Sequence, residues 1–293
     1  MISPVSYKIN NYQYQQNSIH KSNQTFTGFS PLKNYMDKTV CRFNVMSKYR
    51  WHDVDDDLKV GLKIVSEKIG DKIFNAWDLN PNNSKKYIMF FHGMGQNISS
   101  NQPLYRKMIE KGFGVLSCEY GGFGENTDMI SRAAIKNTVK QSLQYLKNKN
   151  INNIGVTGYS MGSFPAIETA SQNPNTKFLV LIAPFNSLKT EVSNIIQWNI
   201  IRMPKIIKFL LKKFPFLLNS LDRTFKTQKR LANIETPTFL IRATGDRVVS
   251  QKSTKSLICS AKNLKSFIEL QEGGHSMDDA KLSAFSNLPL ENF

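Results

Sequence analysis

Short apolar runs alternate with helical segments along most of the chain. Unbroken runs of this length are typical of strands buried on both faces of a parallel sheet. Six runs have this character: Tyr87–Phe91, Gly114–Glu119, Ile154–Thr157, Phe178–Ile182, Thr238–Ala243 and Ser266–Leu270. The helical segments between them are Pro103–Lys111, Ser131–Asn148, Ser163–Ser171 and Ser253–Ser260. This alternation predicts right-handed βαβ crossovers and an α/β fold with a mostly parallel central sheet flanked by helices.

The segments outside this alternation predict the domain limits. Residues 1–35 are rich in Asn, Gln, Ser and Tyr and lack apolar periodicity, which predicts a disordered polar tail. Val60–Glu67 and Lys72–Leu79 flank a Gly-Asp turn and predict a hairpin of two edge strands. We therefore expect a single domain over residues 36–293. Residues 186–235 separate two predicted strands by far more than one crossover helix needs, which predicts an inserted helical cap.

Within the predicted cap, a segment has a basic amphipathic pattern. Pro204–Phe214 places apolar residues at helical spacing, and Lys205, Lys208 and Lys212 fall on the opposite face. Such a helix fits an enzyme that works at an anionic lipid interface. It equally fits a cap helix that packs on its own domain with a solvated lysine face. Both interpretations make the pocket wall apolar and favour a hydrophobic substrate.

The net charge and the cysteine content indicate which binding partners and which cellular compartment to expect. The 293-residue chain has a net charge of +17, so it should attract polyanions, which could be an anionic lipid surface, nucleic acid or an acidic ligand. No zinc-finger, RNA-recognition or phosphate-loop pattern is present, so specific nucleic-acid binding is not expected. Three widely spaced cysteines, no secretion signal and no apolar span favour a cytoplasmic protein, with peripheral membrane contact left open.

The strongest chemical motif follows the predicted strand at Ile154–Thr157. Gly158 to Gly162 reads G-x-S-x-G between a strand and a helix, which is the setting of a nucleophile elbow with Ser160 as the nucleophile. A side chain at either glycine would collide with the neighbouring strand or helix. The helix that follows points its N-terminus towards a developing oxyanion.

Residues after the strand Tyr87–Phe91 predict the oxyanion hole. We expect the backbone N–H groups of Met94 and Met161 to bind the negative oxygen of a tetrahedral intermediate. Gly93 allows the loop to approach a substrate carbonyl, so Gly93 and Tyr159 are candidate substrate contacts. The alternative is that residues 92–95 are a plain strand-to-helix loop.

Elimination among four histidines identifies the base. His20 lies in the polar tail, His52 lies upstream of the sheet, and His92 belongs to the oxyanion loop, where a structural hydrogen bond is expected. His275 follows two glycines directly after the last predicted strand. That position lies at the carboxyl edge of the sheet, where open parallel sheets bind their ligands.

Asp246 is the predicted acid. It follows the strand Thr238–Ala243, and the chain order Ser, Asp, His is the one that accompanies a nucleophile elbow. Asp246 would orient the imidazole and stabilise its protonated form. Its alternative role is to cap the next turn. Asp278 and Asp279 are weaker substitutes for the acid.

With these pieces in place, the sequence resembles the α/β-hydrolase superfamily from about residue 60 to the C-terminus. The resemblance rests on the segments at residues 92–94, 158–162, 244–246 and 274–275. Residues 119–124 are similar to a pocket-shaping loop of that superfamily, which makes Tyr120 a candidate substrate contact. Members include esterases, lipases, thioesterases, amidases and peptidases, and the resemblance implies acyl transfer without a metal or organic cofactor. A serine nucleophile argues against the dehalogenases and epoxide hydrolases of this fold.

The predicted function is that of a serine hydrolase acting on a small-molecule acyl ester or thioester with a hydrophobic or lipid-like part. Two alternatives stay open. One is an amidase or peptidase of the same fold, and the other is a non-catalytic lipid- or protein-binding module on a hydrolase scaffold.

Overall fold

The computed structural model describes residues 52–121, 123–124, 126, 132–187 and 227–293, which build one mixed sheet with helices on both faces. The strands are β1 (Leu62–Ile69), β2 (Lys72–Leu79), β3 (Lys86–Phe91), β4 (Gly114–Cys118), β5 (Asn153–Tyr159), β6 (Leu179–Ile182), β7 (Thr238–Ala243) and β8 (Leu264–Leu270). The described helices are α1 (Asp56–Lys59), α2 (Gln102–Glu110), α3 (Arg132–Asn148), α4 (Ser163–Gln172), α5 (Gln228–Leu231), α6 (Gln251–Ser260) and α7 (Asp279–Ser286).

The strand order explains where the chemistry can lie. The sheet runs β1-β2-β4-β3-β5-β6-β7-β8, with antiparallel pairing from β1 through β2 to β4 and parallel pairing elsewhere. Seven of the eight strands therefore run in one direction and end at the same carboxyl edge, and β2 runs the opposite way. Two buried apolar clusters cover the faces: α3, α4 and α6 contribute to one, and α2 and α7 to the other. The predicted fold class is confirmed.

The positions of the edge strands correct the sequence predictions in two places. Lys72–Leu79 was expected at an edge, but β2 pairs with β1 on one side and β4 on the other. The run Ser266–Leu270 was expected to be buried on both faces, but β8 pairs only with β7 and is partly exposed along its length. Three of the seven residues of β8 are polar, namely Lys265, Ser266 and Glu269, as an edge position permits.

Three described helices were not predicted, because each lacks a long amphipathic repeat. Helices α1 and α5 are single turns, and α7 has a buried lysine among its inward-facing residues. The polar tail at residues 1–35 and residues 188–226 of the predicted cap lie outside the described residues, and with them the predicted basic helix. Among the helices that the structure does describe, none combines the length and the hydrophobicity needed to cross a bilayer.

Candidate active site

Ser160 occupies a strained turn between β5 and α4. The strand ends at Tyr159, a single turn of 3-10 helix covers Ser160–Gly162, and α4 begins at Ser163. The φ angle of Ser160 is +52°, in the left-handed region that a residue with a Cβ rarely adopts. Such strain costs about 1–3 kcal/mol and persists only where the surrounding structure enforces it.

Two glycines make this turn possible because neither position has room for a side chain. A Cβ on Gly158 would lie 2.5 Å from the Gly162 carbonyl oxygen. A Cβ on Gly162 would clash with the carbonyl oxygens of Phe91 and His92, at the end of β3. The elbow is therefore packed backbone against backbone on the neighbouring strand, as the sequence pattern predicts.

His275 reaches Ser160 from the loop between β8 and α7. The Ser160 Oγ atom lies 2.8 Å from His275 Nε2, although the residues are 115 positions apart. Ser160 is 5% exposed, and the His275 side chain is 20% exposed. The imidazole therefore stands between a nearly buried hydroxyl and the surface.

Asp246 lies on the other side of the same imidazole. His275 Nδ1 is 2.8 Å from Asp246 Oδ2, and the Asp246 side chain is only 2% exposed. A carboxylate only accepts hydrogen bonds, so Nδ1 carries the hydrogen and donates it to Asp246. Nε2 is then left to accept a hydrogen bond from the Ser160 hydroxyl.

The capping role of Asp246 is also present. Its Oδ1 atom accepts hydrogen bonds from the backbone N–H groups of Val248 (2.8 Å) and Val249 (2.9 Å). One oxygen thus holds the turn while the other faces the histidine, so the two roles proposed for this residue coexist. Asp278 instead caps α7 and binds the buried Lys281, so its carboxylate is not the one bonded to His275.

The predicted oxyanion loop approaches the elbow closely at Gly93. A Cβ there would lie 3.1 Å from the Tyr159 ring, and the Gly93 N–H donates to the Gln96 side chain at 2.9 Å. Met94 follows with 36% of its surface exposed, whereas Met161 is buried in the 3-10 turn. The assignment of the Met94 and Met161 N–H groups as oxyanion donors stays a prediction.

His92 has the structural environment that the sequence predicts for it. Its ring is fully buried, with Nδ1 2.9 Å from the Gly93 carbonyl oxygen and Nε2 2.8 Å from Glu119 Oε1. Both ring nitrogens therefore face oxygen atoms. The pair ties the oxyanion loop after β3 to the segment after β4.

Tyr120 is placed differently from its predicted role. The side chain is 0% exposed, its hydroxyl donates to the His92 carbonyl oxygen at 2.6 Å, and its ring stacks on the His92 imidazole at 4.7 Å. Burial is the first reason that its pKa is raised, with the nearby Glu119 charge as the second. Direct contact between this side chain and a substrate is not supported, because the ring is enclosed behind the oxyanion loop.

Tyr159 also has contacts that its sequence motif does not reveal. Its hydroxyl donates to the backbone carbonyl of His275 at 2.6 Å, and its ring is nearly parallel to the His275 imidazole. The predicted substrate contact by Tyr159 stays untested. The only signal in the sequence was its position beside Ser160.

An open apolar groove lies near the oxyanion loop, with a volume of about 310 Å³. The hairpin of β1 and β2 forms one wall through Ile64 and Trp77, and Ile98 forms the other. Glu119, the partner of His92, lies at its base. One bonded pair thus connects the groove to the loop that leads into Gly93.

Within the described ranges, no three His, Cys, Asp or Glu residues are grouped so that they could hold a metal ion.

Comparison with known protein families supports the same superfamily. Residues 82–221 match the family model Hydrolase_4, described as serine aminopeptidase, S33. The uncharacterized protein YfhR of Salmonella typhi is 20% identical over 223 residues, covering 71% of this chain and 70% of that protein. A putative α/β hydrolase of Acanthamoeba polyphaga mimivirus is 26% identical over 113 residues, covering 37% of this chain and 43% of that protein.

Solved structures share the fold at low sequence identity. An α/β hydrolase of Vibrio vulnificus superposes with a TM-score of 0.67 and 17% identity, covering 92% of this chain and 96% of that one. An esterase of Pyrococcus furiosus gives a TM-score of 0.63 and 17% identity, covering 78% of this chain and 88% of that one.

Proposed function

Because the chain has the α/β-hydrolase fold and residues 82–221 match a hydrolase family model, we propose that it is a serine hydrolase of that superfamily that cleaves a carboxylic ester or thioester. One observation carries the proposal. Ser160, on a strained elbow, is hydrogen-bonded in series to His275 and Asp246, at 2.8 Å for each link. If Asp246 only capped a turn and His275 were only a polar surface residue, nothing would require Ser160 to adopt a left-handed φ angle beside the imidazole.

The proposed reaction proceeds in two steps. The Ser160 oxygen attacks the substrate carbonyl while His275 takes its proton, and Asp246 stabilises the imidazolium. The C–O or C–S bond to the leaving group then breaks as His275 returns the proton to that group, leaving an acyl-serine. Water, deprotonated by His275, attacks the acyl carbon and releases the acid and free Ser160. The N–H groups of Met94 and Met161 would hold the oxyanion in both steps.

The apolar groove supports a hydrophobic substrate. Trp77 and Ile98 provide apolar surface, and Ile64 is 69% exposed, which is unusual for such a large aliphatic side chain. The groove is lined by Glu119 but not by Ser160, His275 or Asp246, so its link to the site is the Glu119–His92 pair before the oxyanion loop. On the strength of that link we place the hydrophobic part of the substrate there. The fold also carries peptidases, and the matching family model is described as an aminopeptidase, so an amide substrate is the second candidate.

The proposal is tested with Ser160→Ala and a matched control. Ser163 lies three residues away, and its buried hydroxyl has no hydrogen-bond partner among the described residues, so Ser163→Ala should leave activity and fold unchanged. We expect Ser160→Ala to abolish labelling by a fluorophosphonate probe and to lower p-nitrophenyl ester hydrolysis at least about a thousandfold. Circular dichroism and the melting temperature check that both variants fold.

Two outcomes would contradict the proposal. Undiminished labelling of Ser160→Ala would remove this serine from the reaction. Failure of the wild-type protein to react with any serine-directed probe, together with tight binding of a lipid or protein, would instead indicate a non-catalytic binding module. Parallel assays with esters, thioesters and amides of the same acyl group then rank the substrate classes.

A further inference from the structure

Tyr159 makes two different contacts with the residue that would act as the base. Its hydroxyl donates a hydrogen bond to the His275 carbonyl oxygen at 2.6 Å. Its ring lies nearly parallel to the imidazole, with 5.7 Å between the centroids and an interplanar angle of 29°. The hydroxyl therefore holds the backbone of the His275 loop, and the ring covers one side of the imidazole.

The position of Tyr159 in the chain ties these contacts to the nucleophile. It is the last residue of β5 and directly precedes Ser160, so its backbone is fixed by the central strand of the sheet. One edge of its ring, at Cδ1 and Cε1, lies against Gly93, where a Cβ would approach to 3.1 Å. One side chain thus contacts the base loop and the oxyanion loop, and its own backbone carries the nucleophile.

The hydroxyl remains a donor throughout the working range of the protein. Burial raises the pKa of Tyr159 well above its usual value, and the charges of Asp246 and Asp278 raise it further. The phenol therefore keeps its proton across the neutral pH range, and the hydrogen bond to the carbonyl persists.

We propose that Tyr159 is a positioning residue, which holds His275 in line with Ser160 through its hydroxyl and stabilises the imidazolium through its ring. The inference rests on the proposed function, because it assigns His275 as the base. A cation within about 6 Å of an aromatic centroid is attracted to the face of the ring. Asp246 is bonded to His275, and the Asp278–Lys281 pair stands at the start of α7, which follows the His275 loop.

Two substitutions separate the two contacts. Tyr159→Phe keeps the ring and removes only the hydroxyl, so kcat should fall about five- to tenfold with KM nearly unchanged. The acidic limb of the kcat/KM profile should stay in place. Tyr159→Leu removes both contacts, so kcat should fall further and the acidic limb should move to lower pH by about half a pH unit. The melting temperature of each variant shows whether it is folded.

Tyr145→Phe is the matched control. Tyr145 is another buried tyrosine whose hydroxyl is hydrogen-bonded, in this case to Asp78 on β2. Its loss should lower stability and leave unchanged both the acidic limb and the kcat for p-nitrophenyl acetate, an ester too short to reach the groove beside the hairpin that Asp78 holds. The inference fails if Tyr159→Phe turns over at the wild-type rate. It also fails if Tyr159→Phe loses no more kcat than Tyr145→Phe does for the same loss of melting temperature.

A titration that needs no turnover keeps this test separate from the proposed function. The pKa of His275 is measured by NMR in the Ser160→Ala background, with Tyr159 intact and with Tyr159→Leu. A lower His275 pKa in Tyr159→Leu supports the ring contact even if no substrate is ever found. An equal pKa in both proteins overturns that contact even if the enzyme is an active esterase.

Discussion

At the level of single residues, Asp246 has the most constrained chemistry in the candidate site. Its two oxygens have separate partners: Oδ1 accepts from two backbone N–H groups, and Oδ2 faces His275 Nδ1. The side chain is almost fully enclosed, so water cannot substitute for either partner. Any replacement must therefore satisfy the turn and the imidazole at once.

Asp246→Asn tests this division of roles. The single amide oxygen should keep the two N–H groups of the turn, which places the NH₂ group against His275. Nδ1 would then become the acceptor and Nε2 would carry the hydrogen, so the imidazole could no longer accept the Ser160 proton. We expect kcat to fall about 10³- to 10⁴-fold with little change in melting temperature.

A comparison of Asp246→Asn with Asp278→Asn distinguishes Asp246 from the alternative acid. Asp278→Asn should leave kcat within about threefold of wild type, because Asp278 binds Lys281 and caps α7. A larger loss of kcat in Asp278→Asn than in Asp246→Asn would reverse the assignment of the acid.

Sequence reasoning found the three bonded side chains because each follows a recognisable strand within a turn motif. It could not find the roles of Tyr159 or Glu119. Glu119 binds a histidine 27 positions earlier in the chain, and Tyr159 binds a carbonyl 116 positions later. Such partners depend on the order of strands in the sheet, which no local pattern contains. The burial of Tyr120 was not predicted for the same reason, since its loop position did not reveal it.

At the level of elements, the hairpin of β1 and β2 is fastened to the domain by a buried polar cluster. Asp78 on β2 accepts hydrogen bonds from the hydroxyls of Tyr87 (2.9 Å) and Tyr145 (2.7 Å). Lys149, just after α3, donates to Asp78 at 2.5 Å and to the Tyr87 hydroxyl at 2.9 Å. A buried carboxylate with this many donors is fully compensated, so it fixes the hairpin against α3 and β3.

A rigid hairpin matters because its outer face forms a wall of the groove. Ile64 pairs with Trp77 across the hairpin, and both residues line the groove opposite Ile98. If the groove holds the hydrophobic part of the substrate, a charge at its rim should penalise long acyl chains only. Short esters would not extend that far.

Ile64→Lys is expected to lower the kcat/KM ratio of C10 to C4 p-nitrophenyl esters about tenfold, a change typical of lost apolar contacts in a binding pocket. Ile73→Lys is the matched control, because Ile73 is an exposed isoleucine on the same hairpin and is not among the groove-lining residues. Equal chain-length profiles for the two variants would show that the groove does not bind the substrate.

The elements themselves were predictable where burial imposes a continuous apolar run, as in β3, β5 and β7. Elements were less predictable where a polar contact, and not the burial of apolar residues, determines them. Helix α7 begins because the Asp278 side chain accepts from the Lys281 N–H, and it buries that lysine beside the same carboxylate. A hydrophobic pattern cannot predict a helix whose inward face carries a lysine.

At the level of the whole molecule, the positive charge is unevenly distributed along the chain. Residues 1–51 contain seven Lys or Arg and one Asp, and residues 188–226 contain eight Lys or Arg and two acidic residues. These two segments therefore account for 12 of the 17 net charges. The described catalytic scaffold is much closer to neutral, so any attraction to an anionic surface should depend mainly on the two segments.

The described residues that flank the second segment lie beside elements of the candidate site. Residue 187 follows β6, residue 227 precedes α5, and Arg230 on α5 binds Glu168 on α4, the helix that begins at the elbow. A membrane contact made between those residues would therefore bring the carboxyl edge of the sheet towards the lipid. This arrangement would suit an enzyme that takes an acyl substrate from an anionic interface, which we propose for this chain.

Binding to vesicles tests that proposal. The wild-type protein should bind vesicles of mixed phosphatidylcholine and phosphatidylserine at low salt and release them as salt rises. Replacing Lys205, Lys208 and Lys212 with Gln should weaken binding about a hundredfold, since each lysine near such a surface contributes about 1 kcal/mol. The control replaces three exposed lysines spread over the scaffold, Lys68, Lys140 and Lys265, with Gln. Both variants lose the same net charge, so equal weakening would show that only net charge matters and that residues 205–212 do not form a membrane-binding face.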